Sequence, residues 1–155
     1  MDVDHFCIDL DFFKDINDTL GHSTGDKVLI EVGRRIKETA PSDALVARLG
    51  GDEFAILLDG IHRDDDAVTV AERLLSRFLE PLDMSGDKLR CSISIGIATS
   101  SVGGVENMLR NADVAMYYAK RGGRARYAVF NENMHEPQPE TKGDETPVSA
   151  RTAGQ

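Results

Sequence analysis

Two short apolar runs, residues 44–49 and 54–58, are separated by Gly50-Gly51 and the acidic pair Asp52-Glu53. A Gly-Gly step tolerates the positive φ angles that tight hairpin turns require, so this stretch predicts an antiparallel β-hairpin with its turn at the glycines. Two carboxylates then stand beside nearly bare backbone. Well upstream, Phe6-Cys7-Ile8-Asp9-Leu10-Asp11 ends another apolar strand in acid. Two strand ends that each offer hard oxygen donors suit Mg2+, which is usually held by one or two carboxylates plus substrate phosphates rather than by a full protein cage.

The remaining periodicities define the elements around that pair. Residues 3–10 read as a buried strand, and residues 12–20 as one or two helical turns stopped by Gly21. From Asp26 onward, Val28, Leu29, Val32 and Ile36 fall at helical spacing until Pro41. Asp64-Asp65-Asp66 precedes a helical stripe that closes before Pro81, so the acids are expected to cap and charge that helix's N-terminus. Leu89, Cys91, Ile93, Ile95 and Ile97 alternate with Arg90, Ser92, Ser94 and Gly96, which predicts one strand with its odd face in the core. A further helical stripe over residues 105–119 is closed by Lys120-Arg121 and Gly122-Gly123, and residues 126–130 give a last short strand. The order β-α-α-β-β-α-β-α-β predicts an α+β fold of ferredoxin-like plan, a mixed central β-sheet flanked by helices with the hairpin near its middle.

A chain of 155 residues has room for one domain with a genuine core, read here as residues 1–131. Residues 132–155 contain hardly a hydrophobe and are expected to form a disordered polar tail. No apolar run approaches the roughly 20 residues that span a bilayer. The chain also opens with acids instead of a basic signal region, so a cytoplasmic setting without a membrane segment is expected. A net charge of -9 argues against nucleic acid as a partner, because that affinity rests on many Lys and Arg side chains neutralising phosphates. A single nucleotide remains compatible if Lys14, Arg48, Lys120, Arg121, Arg124 and Arg126 gather locally. Cys7 and Cys91 have no metal or redox spacing and read as reduced, mostly buried small hydrophobes. His5, His62 and His135 show no ligand spacing and receive no role.

The segments Asp9-Leu10-Asp11-Phe12-Phe13-Lys14-Asp15-Ile16-Asn17-Asp18, Gly21-His22, Gly25-Asp26, Arg48-Leu49-Gly50-Gly51-Asp52-Glu53-Phe54, Ser94-Ile95-Gly96 and Ala112-Asp113 follow one another in a pattern that resembles the GGDEF family of diguanylate cyclases over residues 3–130. The resemblance implies a nucleotide-cyclase-like fold akin to polymerase palm domains. It also implies the condensation of two GTP molecules into cyclic di-GMP with release of two pyrophosphates, each ribose 3'-hydroxyl attacking the α-phosphate of the opposite GTP. Its cofactor would be Mg2+ or Mn2+, two ions per active site. By position, Asp9 and Asp52 match the carboxylate metal ligands and Leu10 would add its backbone carbonyl. Asp52 matches the proton acceptor, with Glu53 assisting at metal or hydroxyl. Gly50 and Gly51 would let the turn approach the triphosphate, and Lys14, Lys120 and Arg124 match phosphate contacts. Asn17 and Asp26 match the readers of guanine, whose N1–H and N2–H donors beside O6 suit one carboxylate and one amide. His22 falls at a substrate contact. Taken without the resemblance, Asn17 and Asp26 are ordinary capping residues, Lys120 is a cation favoured at a helix C-terminus, His22 is a turn residue, and a solvated glycine hairpin needs no function.

Two features depart from the family pattern. The usual Arg-x-x-Asp product-inhibition site is replaced by Ala40-Pro41-Ser42-Asp43, which lacks the arginine. The helix and Asp-x-Leu-Thr segment that usually precede the first strand are represented only by residues 1–5, so the domain reads as N-terminally shortened, and an upstream sensory or dimerising module would belong to a longer parent protein. Because each domain would hold one GTP, turnover implies a homodimer with two sites facing each other. Two readings stay open: an active cyclase, or a catalytically impaired GGDEF domain acting as a GTP-binding regulatory module. Without the bidentate guanidinium, little feedback inhibition by cyclic di-GMP is expected at residues 40–43; calorimetric titration checks this, and submicromolar binding mapped to Asp43 and its neighbours overturns it.

Overall fold

Strand β1 (Val3–Leu10) is the middle of a five-stranded sheet ordered β2-β3-β1-β6-β7. In this computed structural model residues 2–59 and 64–137 are described, apart from the side chains of Asp64 and Asp65. The strands beside β1 are β3 (Glu53–Asp59) and β6 (Ile93–Thr99), both antiparallel to it; β2 (Leu45–Gly50) extends one edge and β7 (Tyr127–Val129) runs parallel to β6 at the other. Helices α1 (Phe13–Leu20), α2 (His22–Thr39), α3 (Asp64–Arg77) and α4 (Met108–Arg121) complete the domain, with a 3-10 turn at Val105–Asn107 leading into α4. Among the described residues no helix is long and apolar enough to cross a membrane.

Alternation along β1 divides the core in two. Phe6, Ile8 and Leu10 point into the larger part with Val28, Val32 and Ile36 of α2, Ile56 and Leu58 of β3, and Ala71 and Leu74 of α3. Cys7 points the other way, against Ala98 of β6 and Ala112 and Met116 of α4. Helices therefore cover both faces, in agreement with the expected α+β sheet flanked by helices. Cys7 and Cys91 are both free thiols, and burial raises the pKa of each, that of Cys91 to about 11.

Several expectations about element placement are corrected. The hairpin β2-β3 lies at one edge of the sheet, not near its middle, because β1 takes the central place by pairing on both sides. Helix α2 starts at His22 instead of Asp26. Gly25 does not interrupt it; a Cβ there would collide with Asn17 Oδ1, so the glycine permits α1 and α2 to meet. The alternating segment from Leu89 to Ile97 is broken in two. β5 (Asp87–Leu89) pairs with an unforeseen β4 (Leu82–Met84) around a turn with positive φ at Ser85 and Gly86, while β6 begins at Ile93. In β6 the even face is buried as well as the odd, because α4 covers it. Helix α3 stops at Arg77, short of Pro81, and Arg35 of α2 donates from its buried guanidinium to the carbonyls of Arg77, Glu80 and Pro81. Capping by Asp64 and Asp65, and the tail expected beyond residue 137, lie outside the described residues. Within them, the His135 N–H donates to the Tyr118 hydroxyl of α4.

Gly96 allows α4 to lie directly on β6: a Cβ would fall within 3 Å of the Ala112 carbonyl oxygen and of the Met116 backbone. Backbone cannot swing aside as a side chain can. Gly96→Ala is expected to lower unfolding stability by about 1–3 kcal/mol through overpacking, read as a lower urea midpoint at unchanged slope.

Candidate active site

Asp9 lies near the C-terminal end of β1 and faces the α4 side of the sheet, in register with Glu53 on β3 and Ser94 on β6. Its carboxylate is almost wholly buried. One oxygen, Oδ2, contacts the Lys120 ammonium from the last turn of α4; the other, Oδ1, is buried with no hydrogen-bond partner. Burial and the nearby Arg124 charge lower the Lys120 pKa, while contact with the Asp9 carboxylate favours the ammonium form.

The hairpin is tied to this strand end by backbone, since the Leu10 N–H donates to the Asp52 carbonyl at 3.2 Å. Gly50 pairs with Glu53, so the two-residue turn is Gly51-Asp52 and not the expected Gly50-Gly51. Gly50 and Gly51 have φ values of 146° and 52°, and a Cβ at either would meet nothing within 4 Å. Glycine is needed here for backbone conformation, and the turn remains open to an incoming ligand. Arg48 Nε donates to the Gly51 carbonyl at 3.0 Å, bracing the turn across the strand irregularity between Arg48 and Gly50. Glu53 has its pKa raised by desolvation first, then by the charges of Asp113 and Asp52. Asp113 on α4 in turn accepts from the Cys7 thiol at 3.3 Å.

A cleft of about 270 Å³ is lined by Asp9, Leu10, Lys14, Asp52, Lys120 and Arg124 together with residues of the β1-α1 connection. Two carboxylates and three cations assigned from sequence to metal and phosphate thus share one space, and Glu53 adjoins Asp9 by strand register. The other candidates lie elsewhere. Asn17 packs against Gly25, Asp26 lines a second cleft of about 300 Å³ with Leu29, Ile30, Gly33, Arg34 and Arg48, and His22 is exposed at the start of α2. Arg48 connects the two groups, because it lines the second cleft and holds the hairpin turn. A larger cleft of about 640 Å³ between α1 and β5 is mainly apolar and contains neither Asp9 nor Asp52.

Among the described residues no group of three or more His, Cys, Asp and Glu side chains forms a metal cage. The donor set that is present fits a divalent cation of the Mg2+ type: a buried carboxylate oxygen without a partner, a second acid on an open turn, and room for phosphate oxygens to complete the coordination. Residues that would hold it are Asp9, Asp52, Glu53 and the Leu10 carbonyl. Sequence reasoning gave no role of its own to Asp113, counted Arg48 only among cations that could gather near a nucleotide, and took Asp11 only as part of an acidic strand end. For Asp11 a signal was available, since an acid just beyond a strand buried on both faces must find partners inside the protein.

Comparison with known proteins places this geometry among relatives. The sequence model described as diguanylate cyclase, GGDEF domain, matches residues 3–126. The bifunctional diguanylate cyclase/cyclic di-GMP phosphodiesterase MucR of Pseudomonas aeruginosa is 43% identical over 130 residues, covering 83% of this chain and 19% of that protein. Diguanylate cyclase TpbB of the same organism is 42% identical over 130 residues, covering 81% of this chain and 30% of its own length. The crystal structure of the TpbB GGDEF domain superimposes with a TM-score of 0.80 at 38% identity, covering 84% of this chain and 83% of that one. The chain thus spans under a third of each of these two full-length relatives and corresponds to a single domain of them. It belongs to the GGDEF domain family of diguanylate cyclases.

Proposed function

We propose that this domain condenses two GTP molecules into cyclic di-GMP with release of two pyrophosphates, one GTP held by each of two domains that meet as a transient homodimer. The observation that carries the reading is the buried, unpartnered Asp9 oxygen in a cleft shared with Asp52, Lys120 and Arg124. GGDEF cyclases generally use divalent metal; bound here as Mg2+ or Mn2+, two ions to a site, it would supply charge for the phosphates and lower the pKa of the 3'-hydroxyl.

The chain's own groups account for the remaining work. Lys14, Lys120 and Arg124 neutralise the triphosphate, Arg124 by a planar fork and the lysines as point charges. In the unloaded domain Lys120 compensates Asp9, and it becomes available to phosphate when Asp9 gains another cation. Gly50 and Gly51 leave the turn bare enough for the phosphates to lie close to backbone. Asp52, on the turn, accepts the 3'-hydroxyl proton; Glu53, made more basic by burial and by its acidic neighbours, supports the same side of the reaction. Asp26 and Asn17, beside the joint of α1 and α2, meet the guanine edge, with His22 at its margin.

Incubation of the purified chain with GTP and Mg2+, followed by mass spectrometry, is expected to yield cyclic di-GMP at a rate per domain that rises with protein concentration. Asp52→Ala is expected to lower that rate by about 10²–10⁴-fold with GTP still bound; GTP binding without product in the unaltered chain assigns the domain to the regulatory-module class. Asp26→Ala is expected to weaken GTP binding about tenfold and to narrow its preference over ATP, read by competition titration.

A further inference from the structure

We infer that Asp11 is a positioning residue whose carboxylate fastens the turn at residues 122–126 to the ends of β1 and β6 and so holds Arg124 toward the cleft. That Arg124 meets phosphate there rests on the function proposed above; the fastening itself rests on geometry alone.

The Asp11 side chain is fully buried, yet it is one of the most densely bonded groups in the protein. Oδ2 accepts from Ser92 Oγ at 2.6 Å and from the Ala125 backbone N–H at 3.1 Å, and Oδ1 accepts from Ser94 Oγ at 2.6 Å. Arg124 Nε lies 4.0 Å from Oδ1. The Asp11 N–H also donates to the Ser92 carbonyl at 2.9 Å. One carboxylate therefore joins the connection after β1, the start of β6 and the turn after α4, segments far apart in sequence.

The turn requires such an anchor. Arg124 and Ala125 both adopt left-handed backbone, with φ of 64° and 50°, and neither is glycine. Consecutive non-glycine residues in this region persist only when their surroundings over-determine them. Among their supports, the Arg124 N–H donates to the Ala119 carbonyl, the Arg124 carbonyl accepts from Arg126 Nε at 3.0 Å, the Arg126 carbonyl accepts from Ile95, and Asp11 takes the Ala125 N–H between them. Phe12, itself left-handed with φ of 58°, places its ring under the Arg124 guanidinium at 4.7 Å. Asp11 and Phe12 thus act on the two ends of one residue, the backbone beside Arg124 and its head group. Lys120, on the last turn of α4, is held separately by Asp9.

Three variants of the whole chain test this, read by amide exchange and by titration with Mg2+-GTP and with guanosine. Asp11→Ala removes the acceptor and is expected to speed exchange of the Ala125 amide at least about tenfold, while Phe6, Ile8 and Ile56 keep their protection. It is also expected to weaken Mg2+-GTP binding roughly tenfold or more and to leave guanosine binding in place. Asp11→Asn can turn its carboxamide oxygen toward Ser92 and Ala125 and donate to the Ser94 hydroxyl, so it should restore Ala125 protection. Should Asp11→Ala fail to fold, Ser92→Ala combined with Ser94→Ala releases Asp11 from β6 and is expected to speed exchange at Ala125 in the same selective way. Parallel loss of protection across the sheet, or unchanged exchange at Ala125 in a folded variant, overturns the inference. If the unaltered chain binds no GTP, the proposed function fails while the exchange measurements still decide the role of Asp11.

Discussion

Burial of β1 on both faces and along both edges is the constraint on which the rest of the site depends. A strand so enclosed leaves no water to satisfy polar side chains near its end, and Asp9 and Asp11 must be answered from within the protein. They are answered differently. Asp11 is saturated by two serine hydroxyls and a backbone N–H, whereas Asp9 receives one ammonium and keeps one oxygen free. The first arrangement ties three segments together; the second leaves one carboxylate oxygen without a partner beside the cleft that Asp52 and Lys120 also line. Two acids of the same strand end are thereby satisfied to different degrees.

The close approach of α4 at Gly96 links that strand end to charge. Because the helix backbone rests on the strand without an intervening side chain, Asp113 reaches Cys7 and adds to the rise that burial gives the Glu53 pKa, and Lys120 arrives over Asp9. Moving α4 outward by even a methyl group would alter all of these contacts together. The hairpin is fixed from the opposite side, through the Leu10 to Asp52 backbone bond and the Arg48 brace on Gly51. The cleft is consequently assembled from β1, the hairpin and the end of α4, each seated on the central strand.

Much of this was legible from residue order because the signals are local. The alternation of Ile93, Ile95 and Ile97, the helical stripe from Val28 to Ile36 and the glycines at 50 and 51 act over a few residues and were read with the correct element type. The errors arose where packing between distant segments decides. The second helix was read from Asp26, yet it begins at His22 and carries Gly25 inside it, where the glycine serves the contact with Asn17. The run from Leu89 to Ile97 kept its period of two through a break made by two partners, β4 for one piece and β1 for the other. Placement of the hairpin at the sheet edge depends on strand pairing, on which hydrophobic periodicity is silent.

By itself the sequence determined the chemical inventory: two acids ending a strand, two more beside a glycine turn, cations at the close of the last helix, and an acid and an amide near the start of the second. Those follow from covalent order, since neighbours along the chain need no fold to be neighbours. Only the tertiary structure decided which of them share a space. It brought Lys120 to Asp9 and Ala125 to Asp11 across more than a hundred residues, and it set Asp26 in a separate recess with Arg48, leaving Asn17 packed against Gly25. The physical reason is that side-chain meeting depends on which face of a strand or helix is buried against which partner, and that is set by the packing of the whole sheet.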